Sequence, residues 1–325
     1  MKLAQYWIAA AFAAASTTAL AQGWAPQKNV EIVAGSAPGG SNDKTARAME
    51  RILSAHKLVP TTITVVNRPG GGGSIAYTYV SQRAGDAHYL AIGSSNLLSN
   101  NIVGSSTLTH HDFTPIAQLY EDYAVFAVQT ESPLKTGKAL ADRLRKDPKS
   151  VVLGFANTFG GSRHVAAGLL VKAVGSNVRD LKPVVFKGSA EAITAMLGGH
   201  IEVVVVGAAN AAGHVANGRM RVIGVAAPER FSTGPLANSP TWREQGIDLV
   251  YGNWRAIYGP KGFTAAQLRY WENALRRMAD TPEWKADLEK NYWTPEFVVG
   301  EKLRGEIERE QAYLKTMLTE LGLAK

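Results

Sequence analysis

Two stretches of this chain follow one local recipe: an apolar run, a glycine pair, then residues at helical spacing. The first runs from Val30-Glu31-Ile32-Val33 through Ala37-Pro38-Gly39-Gly40 to Ala46, Met49, Ile52 and Leu53. The second runs from Val151–Ala156 through Gly160-Gly161 to Val165, Leu169 and Leu170. Each reads as a strand, a tight turn and a helix start. Ser41 or Asn42 is the expected N-cap of the first helix, with Asp43 in its first turn, and Ser162 is the expected cap of the second. A helix start carries backbone N–H groups without intrahelical partners, and glycine lets an anion approach them. One such corner is an ordinary way to turn a chain. Two of them make a shared carboxylate site the stronger reading.

The length of 325 residues favours two domains. Hydrophobic residues at 46% and charged residues at 19% describe a globular chain, and the absence of cysteine excludes disulfides, thiolate nucleophiles and Cys-ligated metals. Lys2, the apolar Trp7–Ala15 segment and Ala19-Leu20-Ala21 predict a cleaved export signal over residues 1–21, with the mature chain starting near Gln22. No cysteine follows that site for lipidation, so the expectation is a free periplasmic or secreted protein. The net charge of +8 suits steering of an anionic ligand. Nucleic acid is not an expected partner, because the basic residues are scattered and export would separate the two.

Taken in order, Thr61–Val66, His88–Gly93, Tyr123–Gln129, Val151–Ala156, Pro183–Phe186, Ile201–Val206 and Arg221–Ala226 read as strands, and Asn253–Tyr258 as a further apolar run closed by Gly259-Pro260. Helical patterns alternate with them, which predicts parallel α/β sheets. Four glycines, Gly70–Gly73, lack the residues of a phosphate loop and are read as close packing beside the first corner, with Ser74 capping the next helix. Ser94-Ser95-Asn96 ends one strand and suits a cleft wall or a turn. Ser189 is the expected cap after Lys187-Gly188. Thr264-Ala265-Ala266-Gln267 is a capping box, Thr281-Pro282 opens another helix, and Glu301–Leu323 is an amphipathic helix that packs on a domain.

The chemistry of an enzyme is largely missing. There is no Gly-x-Ser-x-Gly elbow and no His-Glu-x-x-His metal motif, and the adjacent His110-His111 pair cannot place both rings on one helix face. A hydrolase built on Ser162 and His164 is the alternative, weakened because residues two apart on a helix point in different directions. Arg163 either pairs with a ligand carboxylate or faces solvent, and His164 either donates to a ligand or packs. Trp254 is read as core rather than as an aromatic lid.

Several of these segments, in this order, resemble the substrate-binding proteins of tripartite tricarboxylate transporters, the Bug-type receptors. They are Ala37-Pro38-Gly39-Gly40-Ser41-Asn42-Asp43, Asn67-Arg68-Pro69-Gly70, Asp112-Phe113-Thr114-Pro115, Gly160-Gly161-Ser162-Arg163-His164, Phe186-Lys187-Gly188 and Leu197-Gly198-Gly199-His200. Asp147-Pro148-Lys149-Ser150-Val151 and Asn253-Trp254-Arg255 look most like the tricarboxylate-binding branch. The resemblance implies an α/β, type II periplasmic-binding-protein fold with a ligand cleft between two α/β lobes. The lobes are expected over 22–123 with 228–325, and over 124–227. It implies a non-enzymatic, cofactor-free and metal-free monomer that captures a small organic carboxylate and delivers it to a membrane permease. A ligand sensor partnered by a membrane kinase would use the same lobes. Carried over by position, Pro38, Gly39, Gly40, Ser41 and Asp43 form one half of the site. Gly160, Gly161, Ser162 and His164 form the other, with Lys187 and Gly188 near it. Ser36, Ser94, Asn96, Asn157, Arg163 and Ala208 complete the expected lining. The chain departs from the pattern at Ser36, Phe186, Asp86-Ala87-His88 and Arg163. A wider and more basic pocket, suited to a di- or tricarboxylate, is the expected consequence.

Overall fold

A computed structural model describes residues 23–156 and 158–325. The expected signal segment, its cut before Gln22, and Asn157 lie outside the described residues. Two sheets share one long strand, β4 (Phe113–Gln129). The first sheet has the order β2 (Ile63–Asn67), β1 (Val30–Ala34), β3 (Tyr89–Gly93), β9 (Gly252–Pro260), β4, β10 (Thr294–Val299). The second has the order β8 (Met220–Val225), β4, β7 (Val203–Gly207), β5 (Leu153–Ala156), β6 (Val184–Phe186). The register of β4 against β9 ends at Tyr123↔Gly252, and its register against β7 begins at Ala124↔Gly207. One strand therefore passes from one lobe to the other without a break.

The parallel sheets expected from strand–helix alternation are present only in part. β1, β2 and β3 pair in parallel, as do β5, β6 and β7, but β4, β9 and β10 enter antiparallel. β4 also begins ten residues before the strand read at Tyr123–Gln129. Its first half carries Pro115 and two register shifts, features that break the alternation on which strand reading depends.

Helices α1 (Ser41–Ala55), α5 (Ser162–Ala173), α6 (Ser189–Leu197) and α7 (Ala208–Ala216) each leave the C-terminal end of a parallel strand. The remaining helices are α2 (Ser74–Ser81), α3 (Asn96–Ile102), α4 (Gly137–Lys146), α8 (Ala265–Ala279), α9 (Pro282–Lys290) and α10 (Gly300–Glu320). The capping box at Thr264 and Gln267 forms, and Thr281 caps α9 ahead of Pro282. The amphipathic tail is α10: it buries Leu303, Ile307, Leu314, Met317 and Leu318. It reaches both lobes, since it packs on α3 and its Glu320 pairs with Lys172 of α5 at 2.8 Å. Burial of its apolar stripe at ~25 cal/mol per Å² is the term that ties it down.

Candidate functional site

The serine caps expected at four helices are displaced by one residue. Gly40, Gly73, Gly161 and Gly188 are the N-cap residues, and each lacks a side-chain cap bond. Ser41, Ser74, Ser162 and Ser189 fall at the first helical position, from which a hydroxyl does not reach the N–H groups that an N-cap side chain serves. The first N–H groups of these helices are therefore not satisfied by a capping side chain of the N-cap residue.

The two corners that matter have the same backbone. Gly39 and Gly160 have φ of 80° and 78°, and Gly40 and Gly161 follow at φ, ψ of −71°, 167° and −69°, 166°. The positive φ is what requires glycine at the first of each pair. Gly40 donates to Ala37 O at 3.0 Å, and Gly161 to Thr158 O at 3.2 Å. The residue four beyond the first glycine then reaches back to it. Gly39 N–H donates to Asp43 Oδ2 at 2.8 Å, and Gly160 N–H donates to His164 Nδ1 at 3.0 Å. Among the described residues, the N–H groups of Ser41, Asn42, Ser162 and Arg163 find no acceptor.

Asp43 and His164 are thus braces of the corners. The Asp43 carboxylate also accepts from Arg47 Nε at 2.9 Å and Asn67 Nδ2 at 2.9 Å. Its pKa is lowered: burial would raise it, and the Gly39 N–H, Arg47 and Asn67 outweigh that. Ser36 joins the brace, with its Oγ accepting from Asp43 N–H at 3.2 Å. His164 is buried and stacked on Phe155 at 4.9 Å. Burial pushes its pKa down to about 4, so the ring is neutral at pH 7 with its proton on Nε2.

Arg163 does not face solvent. It is buried, and its Nη2 meets Asp122 Oδ2 of β4 at 2.6 Å while its Nη1 donates to the Asp122 carbonyl at 3.2 Å. From the other lobe Arg255 of β9 approaches the same carboxylate at 3.8 Å and donates to Ser41 Oγ at 3.1 Å. A chain of contacts, Ser41–Arg255–Asp122–Arg163, therefore joins the start of α1 to the start of α5. The lobes also meet directly. A Cβ added to Gly161 would stand 3.6 Å from Asn96 Oδ1, and one added to Gly72 would stand 3.1 Å from Thr158 Cγ2. The starts of α1 and α5 are thus linked through one chain of side chains.

The other expected residues divide. Ser94 is buried and braces the start of α3, where its Oγ accepts from Asn96 N–H at 3.3 Å. Asn96 lies across from Gly161, with Oδ1 buried and without a partner among the described residues. Ala208 opens α7 behind the Gly207 cap, and a Cβ on Gly207 would stand 3.0 Å from Arg163 Nη2. A third helix start thus faces the same arginine. Lys187 is exposed, and the register Ala156↔Phe186 sets Lys187-Gly188 beside the turn that follows β5. Pro38 and Gly39 are exposed at the rim.

The sequence does not single out Asp122; it reads Asn253 and Arg255 only as part of the resemblance, and Ser95 as cleft wall or turn. Ser95 Oγ donates to Asn253 Oδ1 at 3.0 Å beneath the cleft. The available signal was charge inside an apolar strand pattern, Glu121-Asp122 in β4 and Arg255 in β9, because a buried charge requires a partner.

Two cavities lie away from both corners. One of about 780 Å³ is lined by the ends of α8, α9 and β10 and by the loop at Ala227–Thr233. One of about 300 Å³ lies between β4 and α10 and is lined by Glu121, Glu296, Glu306 and Glu310. Neither holds a residue of the two corners, and the second would repel an anion. The His110 and His111 rings meet at 3.9 Å on a short 3-10 turn, and their nitrogens share a 4.8 Å cluster with Glu308 on the surface. Adjacent histidines do come together here, because the segment is not α-helical. The trio has a metal-binding donor set, remote from the cleft.

The profile of the tripartite tricarboxylate transporter family receptor matches residues 46–323. BugT of Bordetella pertussis is 26% identical over 244 residues, 73% of this chain and 72% of its own length. Among solved structures, a Rhodopseudomonas palustris protein with adipate superposes with TM-score 0.81 at 21% identity, covering 92% of this chain and 99% of its own. MatC of Rhodopseudomonas palustris with bound malate superposes with TM-score 0.75 at 22% identity, covering 90% and 99%.

Proposed function

Because the chain belongs to the tripartite tricarboxylate transporter receptor family, we propose that it captures a small di- or tricarboxylate between the α1 and α5 starts and hands it to a membrane permease. It is a periplasmic receptor of the Bug type with the type II periplasmic-binding-protein fold, not an enzyme. The observation that carries the ligand reading is the pair of matched glycine corners with free N–H groups, whose helix starts are linked through Ser41, Arg255, Asp122 and Arg163. Uncapped helix starts of this kind receive carboxylates through main-chain donors and the helix dipole. The malate and adipate of structural neighbours support the ligand class.

The site in this reading comprises Ser36, Pro38, Gly39, Gly40 and Ser41 with Ser94 and Asn96 from one lobe. Asn157, Gly160, Gly161, Ser162, Lys187, Gly188 and Ala208 come from the other. Asp43, His164 and Arg163 hold these groups in place. The lobe division at 123/124 is supported by the change of partner along β4, and closure follows from the two sheets turning about that strand and about the segment that returns at 227/228. A single chain closes the site, which favours a monomer.

Titration calorimetry with citrate, malate, succinate, adipate and glutamate tests the proposal. Saturable binding of at least one acid is the expected result, and heat from none of them would defeat it. Reconstitution with the permease subunits tests delivery: uptake of the bound acid should require both.

A further inference from the structure

The cleft carries more positive charge than its own acids balance. The side chains of Arg163, Arg255 and Asp122 are 10%, 6% and 6% exposed, so two buried cations share one buried anion. Both arginines lie at helix starts. Arg163 is the second residue of α5, and Arg255 Nη2 touches Ser41, the first residue of α1. A helix N-terminus carries roughly half a positive charge, so each guanidinium occupies the end that disfavours it. The start of α7 adds a third such end beside Arg163.

Nearby acids do not supply the missing charge. Asp43 is matched by Arg47. Glu121, next along β4, turns to the other face of the sheet, where burial and then the neighbouring Glu296 and Glu310 push its pKa up to about 8. The cluster also shows its incompleteness in its hydrogen bonds. Arg255 Nε and Asp122 Oδ1 are both buried without a partner among the described residues. An unpaired charged group in such a place is costly unless something completes it.

Resting on the receptor reading above, we propose that Arg255 is the specificity-determining residue of the cleft, selecting a doubly charged ligand by taking one of its carboxylates. Asp122 is then the resident anion that holds Arg163 and only loosely engages Arg255, at 2.6 Å against 3.8 Å. Arg255 Nη1 is held by the Asn253 and Trp254 carbonyls at 3.2 and 3.1 Å and Nη2 by Ser41 Oγ at 3.1 Å, so its unpartnered Nε edge is the one offered to an incoming carboxylate, while the second carboxylate sits on the α5 start. A fixed planar fork favours a carboxylate over a neutral group, which gives selection by charge as well as by size.

The test compares wild type, Arg255→Gln and Arg255→Lys by calorimetry with adipate and malate against hexanoate and lactate. Melting of the ligand-free proteins controls for folding. In wild type the dicarboxylates should bind at least about 30-fold more tightly than the monocarboxylates. Arg255→Gln should lose about 100-fold for the dicarboxylates, with little change for the monocarboxylates, so that the discrimination collapses. Arg255→Lys, which keeps the charge without the fork, should fall between. Full discrimination retained in a folded Arg255→Gln would overturn the assignment, as would unfolding of both variants, which makes Arg255 a scaffold residue. Equal wild-type binding of both acid classes overturns the assignment and leaves the receptor reading standing. Absence of binding to any acid overturns the receptor reading itself.

Discussion

The corner at Gly39-Gly40 and the corner at Gly160-Gly161 are the same piece of backbone solved with different side chains. Their glycine dihedrals agree within a few degrees, and each returns one side chain from the fourth position to the first glycine's N–H. In the first corner that side chain is a carboxylate in a polar net with Arg47 and Asn67, and the rim is exposed. In the second it is a neutral imidazole stacked on Phe155, and the corner from Gly160 to His164 is buried. The second helical residue differs most: Asn42 in the first, Arg163 in the second. A shared backbone is what the anion site requires, while the bracing chemistry is free to differ. One corner is held by charge and the other by packing.

Substitution at the second helical residue should separate the corners most. Arg163→Met leaves Asp122 buried without its closest partner, and breaking such a pair costs about 3–5 kcal/mol. Asn42→Met, at the matching place, should stay within about 0.5 kcal/mol, because no hydrogen bond of its side chain is lost among the described residues. Urea unfolding of both variants checks the contrast, and equal losses would break it.

The glycines at positive φ come next. Gly39→Ala meets open space and should cost only the left-handed strain, about 1–2 kcal/mol. Gly160→Ala adds a Cβ 2.8 Å from Val103 Cγ1, so its loss should exceed that of Gly39→Ala by about 1 kcal/mol or more. Thermal melting of the pair reads the difference, and a smaller loss at Gly160 would show that the buried corner yields.

Acid should weaken the second corner before the first. The pKa of His164 is depressed to about 4 in the fold. Its contribution is complete above the ordinary histidine value and is lost as pH falls from about 6.5 towards 4, at about 1.4 kcal/mol per unit. Asp43 is depressed from 3.8, so its contribution holds until pH drops below that value. His164→Asn, whose amide oxygen can still accept from Gly160, should flatten the stability profile between pH 6.5 and 4.5. The opposite trend belongs to Glu121 and Glu310, raised to about 8 and about 7, which lose stability as pH climbs from 4.5 through those values. Glu121→Gln should therefore melt higher than wild type at pH 8.5. Profiles of Tm against pH for both variants and wild type decide this.

Much of this was legible along the chain. The glycine corners, the apolar strands and the capping residues of α8 and α9 rest on local rules of dihedral freedom, periodicity and hydrogen-bond reach. Those rules act within a few residues and leave a mark in any sequence that obeys them. The positions of the caps slipped by one residue because Ser and Gly stand side by side, and local propensity favours the hydroxyl over the vacancy that a ligand site needs. Asp122 and Arg255 went unassigned because each is a charge in an otherwise apolar strand whose partners lie far along the chain, Arg163 being 41 positions from Asp122.

By itself the sequence determined that two glycine-opened helix starts exist and that each follows a buried strand. The tertiary structure alone decided that they are linked, because β4 and β9 run side by side through the join and bring Asp122, Arg255 and Arg163 together. It also decided what Asp43 and His164 do: a side chain at a helix start can turn outward to a ligand or back to its own glycine, and local spacing permits both. Only the surrounding packing, Arg47 and Asn67 in one corner and Phe155 in the other, makes the inward turn the stable one.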